Sequence, residues 1–294
     1  MTPGGVFHAT GLIGSAVVAE LLDNGHTVLA LARSDASAQA VGATGAEPLR
    51  GALADLDTLR AGAARADGVI HLAFDHDFSS PDTLAKSVAE EGAALTVLGE
   101  ELVGSDRPLV TCSGTPYVPG RASTEADPLM TEGPVGGRGR AVTSVLGLSS
   151  RGVRSSAVRL PRTVHNQGSG GFAGLLTDIA RRTGVSGYPG DGTQRWPAAH
   201  ALDAAVLFRL ALEQAEAGTS WHAVADEGDK VRDIATVIGL RLGLPVESVP
   251  ADTFGPLGQI FASDQPSTST YTRQALGWEP KHPSLLEDLE NIQP

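Results

Sequence analysis

Cysteine is almost absent from this chain of 294 residues: Cys112 stands alone, so no internal disulfide can staple the fold. Lysine is scarce, occurring only at 86, 230 and 281, and carboxylates outnumber basic residues 34 to 22, for a formal net charge of −12. A surface of that sign excludes nucleic-acid phosphates as the natural partner. No apolar run approaches the ~18 residues that a membrane-spanning helix needs. The opening residues lack the basic-then-apolar pattern of a signal peptide. The expectation is a soluble, cytoplasmic protein with a small-molecule partner and neither nucleic-acid nor membrane contacts. The preference for arginine over lysine, with abundant alanine and glycine, is a bias of the kind a G+C-rich genome imposes and assigns no function.

Over the first 160 residues, strand-like runs alternate with helical ones. A short strand at 4–8 is weakened by Gly4-Gly5. A helix at 12–24 follows, with Leu12, Val17, Val18, Leu21 and Leu22 forming an apolar face. The continuous apolar strand Thr27–Ala32 leads to a helix near 36–43, a strand at 46–49, a helix at 55–65 and a buried strand at 68–72. A long helix at 82–104, a strand at 108–112, a helix at 137–150 and a strand at 153–159 complete the series. Strands apolar throughout, alternating with helices, imply an α/β fold with a doubly wound parallel sheet covered on both faces. Residues 1–160 are expected to form this core, and 161–294 a smaller, substrate-binding lobe over the sheet's carboxyl edge, with helices at 172–183, 200–217, 230–243 and 283–291 and a strand near 221–224. The stretch 114–136, rich in Pro, Gly, Thr and Glu, is expected to be a long surface loop of the functional kind.

The first strand-to-helix turn reads Val6-Phe7-His8-Ala9-Thr10-Gly11-Leu12-Ile13-Gly14-Ser15. A dinucleotide-binding turn needs glycines for a tight bend and close approach of the pyrophosphate to a helix N-terminus. Gly11 and Gly14 hold the second and third places of such a motif, and His8 replaces the first glycine. Thr10, Gly11, Leu12, Ile13 and Gly14 are thus candidate phosphate-binding residues. Arg33, directly after the second strand and followed by Ser34, suits a 2′-phosphate, because a guanidinium binds phosphate as a fork and no acidic residue there awaits a free 2′-hydroxyl. NADP is expected over NAD if a dinucleotide binds.

These segments, with Val69-Ile70-His71-Leu72-Ala73, Val110-Thr111-Cys112-Ser113-Gly114-Thr115, Val158-Arg159-Leu160-Pro161, Gly190-Asp191-Gly192, Arg195-Trp196-Pro197 and His200-Ala201-Leu202-Asp203-Ala204-Ala205, resemble the short-chain dehydrogenase/reductase superfamily. More narrowly, the chain is similar to its extended or atypical, NAD-dependent epimerase/dehydratase-like branch, over nearly its whole length. The resemblance implies a Rossmann-type core and cofactor contacts from Leu53, Ala73, Phe74 and Pro161. It also implies a substrate-orienting serine at Ser113, and a homodimer through helices 82–104 and 137–150. Two departures stand out. Gly51-Ala52-Leu53 has alanine where the family often has an adenine-contacting aspartate. No Tyr-x-x-x-Lys occurs in the chain; alignment of helix 137–150 puts Arg138 at the tyrosine position and Val142 at the lysine position. Arginine stabilises anions but is a poor proton donor near neutral pH.

The catalytic candidates are therefore Ser113, whose hydroxyl can bond a carbonyl oxygen, Arg138 as a fixed cation, and Tyr117 or His165 as replacement acid. Each has a plainer reading: a strand-end cap for Ser113, a loop aromatic for Tyr117, a structural hydrogen bond for His165. Arg195-Trp196 could face substrate or pack between lobes, and His200 with Asp203 reads as a helix start. Asp75-His76-Asp77 cannot direct three adjacent side chains at one ion, so no metal is expected. Three functions stay open: an NADP(H)-dependent oxidoreductase acting on a small carbonyl, imine or polyketide-like metabolite; a cofactor-independent cyclase, isomerase or lyase in the same crevice; and a catalytically silent nucleotide-binding protein.

Overall fold

A computed structural model describes residues 3–7 (backbone only), 11–75, 80–133 and 136–293. His8 and Thr10 of the glycine turn, and His76 and Asp77, lie outside the described residues. The first half alternates strand and helix: β1 (Pro3–Phe7), α1 (Leu12–Asp23), β2 (Thr27–Ala32), α2 (Asp35–Ala43), β3 (Glu47–Arg50), α3 (Leu56–Arg65), β4 (Gly68–His71), α4 (Pro81–Leu102), β5 (Pro108–Gly114), α5 (Gly136–Gly147) and β6 (Arg154–Leu160). Despite Gly4-Gly5, β1 forms, paired in parallel with β2 on one side and β4 on the other.

Among the described residues the main sheet has seven strands, all parallel, in the order β10-β6-β5-β4-β1-β2-β3, where β10 is Thr219–His222. This is the doubly wound arrangement, extended by one strand. Neighbouring residues of a strand face opposite sides, and here both sides are dry. Val69 and Leu109 pack with Leu59, Leu95 and Leu98 of α3 and α4 on one face. Ile70 and Val110 pack with Val17, Leu21, Leu207 and Phe208 on the other. Each such fully buried side chain contributes ~1.5–3 kcal/mol.

Leu207 and Phe208 belong to α7 (Ala201–Gln214), which lies beside α1. Arg209 bonds Glu20 at 2.7 Å and His26 meets Glu213 at 2.9 Å, so the two helices run in the same direction. The chain after 160 is therefore divided: α7, β10 and α10 (Thr270–Leu276), whose Leu276 joins the same cluster, complete the nucleotide-type core, and the remainder builds the lobe. The lobe contains β7 (Thr163–His165), α6 (Gly171–Thr183), β8 (Ser186–Pro189), β9 (Arg195–His200), β11 (Asp226–Lys230), α8 (Val231–Leu242), β12 (Val246–Val249), α9 (Gly258–Phe261) and α11 (Leu285–Leu289). Two small sheets, β11-β9-β7 and β12-β8, carry it. Its core is aromatic: Trp196 is fully buried, 5.0 Å from Phe261 and 5.8 Å from Phe172 between ring centroids. Trp196 is thus core packing.

The lobe meets the glycine turn through Gly170. This residue has φ of +103°, and a Cβ there would lie 2.5 Å from the Val164 carbonyl oxygen and 2.6 Å from Leu12 Cδ2. Gly170→Ala combines left-handed strain with a clash and should cost about 3 kcal/mol. Gly190→Ala, at φ +64° with open space around it, should cost about 1 kcal/mol. Urea unfolding of the two variants checks this ordering; equal losses would contradict the close approach.

Candidate active site

The strand order reverses between β1 and β4, and ligands of such sheets occupy the crevice at that reversal. There α1 begins at Gly11 (φ −84°, ψ 171°) with no side-chain cap and no acidic residue in its first turn. The Ser15 N–H reaches the Gly11 carbonyl at 2.9 Å, which leaves the preceding amides without intrahelical partners. An uncapped, carboxylate-free helix start fits an anionic phosphate. Gly11 uses ordinary extended backbone, so its merit is the missing side chain. Gly14 is buried, Ile13 packs on the core, and Leu12 is half-exposed under Gly170.

At the end of β2, Arg33 is exposed. Ser34 is occupied: its hydroxyl accepts the Ser37 N–H at 3.1 Å in a capping box that starts α2. Arg50, registered beside Ala32, pairs with Asp35 at 2.8 Å. Beyond β3, the Ala52 N–H is taken by the Asp55 carboxylate at 2.6 Å, and Leu53 packs partly into the α3–α4 face. Ala73 and Phe74, after β4, are buried.

Arg138 projects from α5 toward this edge. Its Nε and Nη2 donate to Glu91 of α4 at 2.7 and 2.8 Å, and its guanidinium lies 3.8 Å from the Phe74 ring centroid. Glu91 is almost completely buried. Burial is the largest influence and opposes the Arg138 charge, but its hydrogen bonds to Glu91 and the attraction of that carboxylate, with a smaller contribution from Cys112, together leave the pKa raised. Arg138 therefore stands as a fixed cation braced against an aromatic face. Val142, one turn on, is core. Cys112 lies close by; burial pushes its thiol up to about 11, which makes it inert as a nucleophile.

Ser113, 7% exposed, is registered beside Arg159 of β6, which is registered beside His222 of β10. Registered partners share a face, so a row of polar side chains crosses three strands at the carboxyl edge. Neither Arg159 nor His222 is among the sequence candidates; a charged and an imidazole side chain among otherwise apolar strand residues were the available signal. Arg159 Nη1 donates to the carbonyls of Glu125 and Asp127 at 3.2 and 2.8 Å. These bonds seat the long loop 115–133, which Glu125 also fastens to the Thr272 N–H and hydroxyl at 2.9 and 2.7 Å. Ser123 meets Ser267 at 2.7 Å. The Arg121 guanidinium holds Asp127 well below the usual carboxylate range. The loop is pinned, and it presents Tyr117, 47% exposed, near the Ser113 edge.

His165 is placed differently. It is 1% exposed, its Nδ1 contacts Asp288 at 2.9 Å, and its ring meets His200 edge-on at 5.4 Å. His200 starts α7 by accepting the Leu202 N–H, and its ring stacks on His282, which bonds Asp203 at 2.8 Å. These histidines and aspartates fasten the carboxyl-terminal segment to β7 and α7. Pro161 is buried at the end of β6, with Arg162 next to it. The structure thus brings Ser113, Arg138, Phe74, Pro161 and Tyr117 to the carboxyl ends of β4–β6, leaves Arg33 exposed at the end of β2 with no ion-pair partner among the described residues, and commits Ser34 and His165 to structural bonds.

Residues 9–99 match the family of NAD(P)H-binding domains. An uncharacterized protein of Schizosaccharomyces pombe is 44% identical over 287 residues, which is 96% of either chain. Among solved structures, a UDP-glucose 4-epimerase from Thermotoga maritima, with UDP-glucose, superposes over 98% of this chain and 96% of that one at 20% identity, TM-score 0.78. A dTDP-glucose 4,6-dehydratase from Streptomyces venezuelae, with NAD bound, covers 98% and 94% at 18% identity, TM-score 0.78. The likeness to the last two is one of fold.

Two predictions follow from the buried charges. Glu91→Ala strands the Arg138 cation and should cost about 3–5 kcal/mol in urea unfolding, whereas the double variant Glu91→Leu/Arg138→Met should recover most of that; additive losses would contradict the pairing. Burial pushes the His222 imidazole down to about 4, so the fold favours the neutral ring. That stability is present above the unfolded pKa and is lost as pH falls from about 6.5 toward 4. Asp229 acts oppositely, since burial, with Asp226 and Asp233 nearby, raises its carboxyl to about 6. His222 Nδ1 donates to the Thr268 carbonyl at 2.9 Å. His222→Asn, which keeps a donor, should reduce the acid-side loss by up to about 3 kcal/mol; an unchanged pH slope would show that another group governs it.

Proposed function

Because residues 9–99 match the family of NAD(P)H-binding domains and the whole chain takes the fold of the epimerase and the dehydratase, we propose that it is an NADP(H)-dependent oxidoreductase of the extended, epimerase/dehydratase-like short-chain dehydrogenase/reductase branch, acting on a small carbonyl, imine or polyketide-like metabolite. The observation that carries this reading is the start of α1, without cap or carboxylate at the sheet's switch point, with the exposed Arg33 at the end of the neighbouring β2. Gly11, Leu12, Ile13 and Gly14 would hold the pyrophosphate through backbone amides, and Arg33 the 2′-phosphate. Ala73, Phe74 and Pro161 would wall the nicotinamide end. When bound, the nicotinamide supplies hydride transfer.

The chain's own residues supply the rest. The Ser113 hydroxyl orients the substrate's carbonyl or imine. Arg138, immobilised by Glu91, adds positive charge where negative charge develops. Tyr117 Oη delivers the proton in place of the missing Tyr-x-x-x-Lys tyrosine. The Arg138–Glu91 pair at the usual tyrosine site also favours a second reading, a cyclase, isomerase or lyase that polarises substrate with the same cation and transfers no hydride.

Calorimetric titration of the intact protein separates these readings. Micromolar NADPH affinity, weaker NADH affinity, and a roughly tenfold loss of the NADPH preference in Arg33→Ala are expected. No binding at millimolar cofactor would sink the oxidoreductase reading, and turnover without nucleotide would establish the second. Ser113→Ala should lower turnover about 100-fold with NADPH affinity unchanged; unchanged turnover would remove Ser113 from the site.

A further inference from the structure

Most of the partly buried arginines in this protein are answered by negative charge. Arg138 meets Glu91, and Arg209 meets Glu20 and Glu213. Arg107 and Arg154 donate to carbonyls at helix carboxyl ends, Ala63, Ala66 and Glu101 for the first, Leu212 and Ala215 for the second, where the helix dipole is negative. Arg159 and Arg162 differ from these: both leave Nε buried without a partner and donate to neutral acceptors, but the carboxylates of Glu125 and Asp127 both act on Arg159, and Glu125 is tied to Thr272 rather than to a basic residue. Arg162 is answered least. It stands half-buried between β6 and β7, and its hydrogen bonds go only to neutral acceptors: Ile260 carbonyl at 2.7 Å, Ser263 Oγ at 2.6 Å and Gln265 Oε1 at 2.6 Å. Its Nε is buried without a partner. Asp264, the carboxylate that acts on it electrostatically, is already forked by Arg195 at 3.1 and 2.8 Å. Burial accordingly pushes Arg162 down to about 10, the opposite direction from Arg138.

A guanidinium withdrawn from water without a counter-ion is costly, and an oxyanion from outside offsets that cost. The neutral acceptors at Nη2 are of the kind a charged acceptor displaces, because charge-assisted bonds are about twice as strong. In a chain of net charge −12, an anion needs such a local cation. Arg162 is also wired to the crevice: Gln265, which accepts from it, donates through Nε2 to the Thr115 carbonyl at 2.7 Å, two residues beyond Ser113. Tyr117 acts on it electrostatically, and the Phe172 ring lies 5.4 Å away as an apolar wall.

We propose that Arg162 anchors the substrate by receiving an oxyanion that it carries, a carboxylate or a phosphate, while the reacting carbonyl lies against Ser113. This rests on the crevice being the substrate site.

The test is thermal unfolding of the whole chain with sodium phosphate or sodium acetate titrated against sodium chloride at constant ionic strength. It is run without cofactor and again with NADPH saturating the start of α1. The wild type should show a saturable rise, about 5 °C at a hundred times the Kd. The rise should vanish in Arg162→Gln and persist in Arg33→Ala. Response to phosphate alone assigns a phosphate ester, and to acetate alone a carboxylate. No saturable rise in the wild type, or an equal rise in Arg162→Gln, overturns the proposal. If Arg162→Gln does not fold, Arg162→Lys decides: it loses the planar fork and should bind the anion at least about tenfold more weakly, and unchanged affinity overturns the proposal. Failure of NADPH to bind would overturn the oxidoreductase reading alone, since the anion response is also measured without cofactor.

Discussion

A parallel sheet exposes two apolar faces, and both have to be kept from water. The helices between β1 and β6 cannot do this alone. On the side of Ile70 and Val110, α1 and α2 cover only the β1–β3 half. The open half, over β4, β5 and β6, is covered by α7, whose Leu207 and Phe208 are fully buried there beside Val17 and Leu21 of α1. The chain must therefore return to the core after building part of its lobe. That return carries β10 onto the free edge of β6 and puts the lobe over the carboxyl ends of the strands. The position of the crevice is a consequence of this coverage requirement.

At that edge, charge is arranged unevenly. The start of α1 is left uncapped, and Arg33 is exposed with no ion-pair partner among the described residues, while Arg50 is tied to Asp35. Arg138 is held protonated and braced by Glu91, so its charge has a fixed place. Arg159 spends its hydrogen bonds on carbonyls of the loop 115–133, which turns a long connection into a fixed wall beside Ser113. Arg162 is left with neutral partners. The five arginines differ in what surrounds them, and that difference separates bracing roles from binding roles.

Most of the core was legible in the sequence because its signals are local. Continuous apolar strands such as Thr27–Ala32 and the periodic face of α1 need no distant partner to be recognised, and Gly11 marks the start of that helix. The small lobe strands were not legible. Residues Asp226–Lys230 and Val246–Val249 have little apolar pattern, and they become strands by pairing with β9 and β8, tens of residues away. Among the candidate site residues, the strand-end positions of Ser113 and Arg33 were readable in the sequence. Ser34 was not, since its cap with Ser37 competes with any ligand. His165 is drawn into the lobe by Asp288, 123 residues later.

The sequence by itself determined the alternating α/β order, the parallel sheet, the nucleotide-type first turn and the loss of the usual tyrosine–lysine pair, because each is written in neighbouring residues. Tertiary structure alone decided which charges are spent and which remain available. Glu91 and Arg138 are 47 residues apart, Arg162 and Gln265 are 103 apart, and Ser113, Arg159 and His222 meet only through strand register. Electrostatic pairing depends on distance and burial in space, and neither is encoded in spacing along the chain.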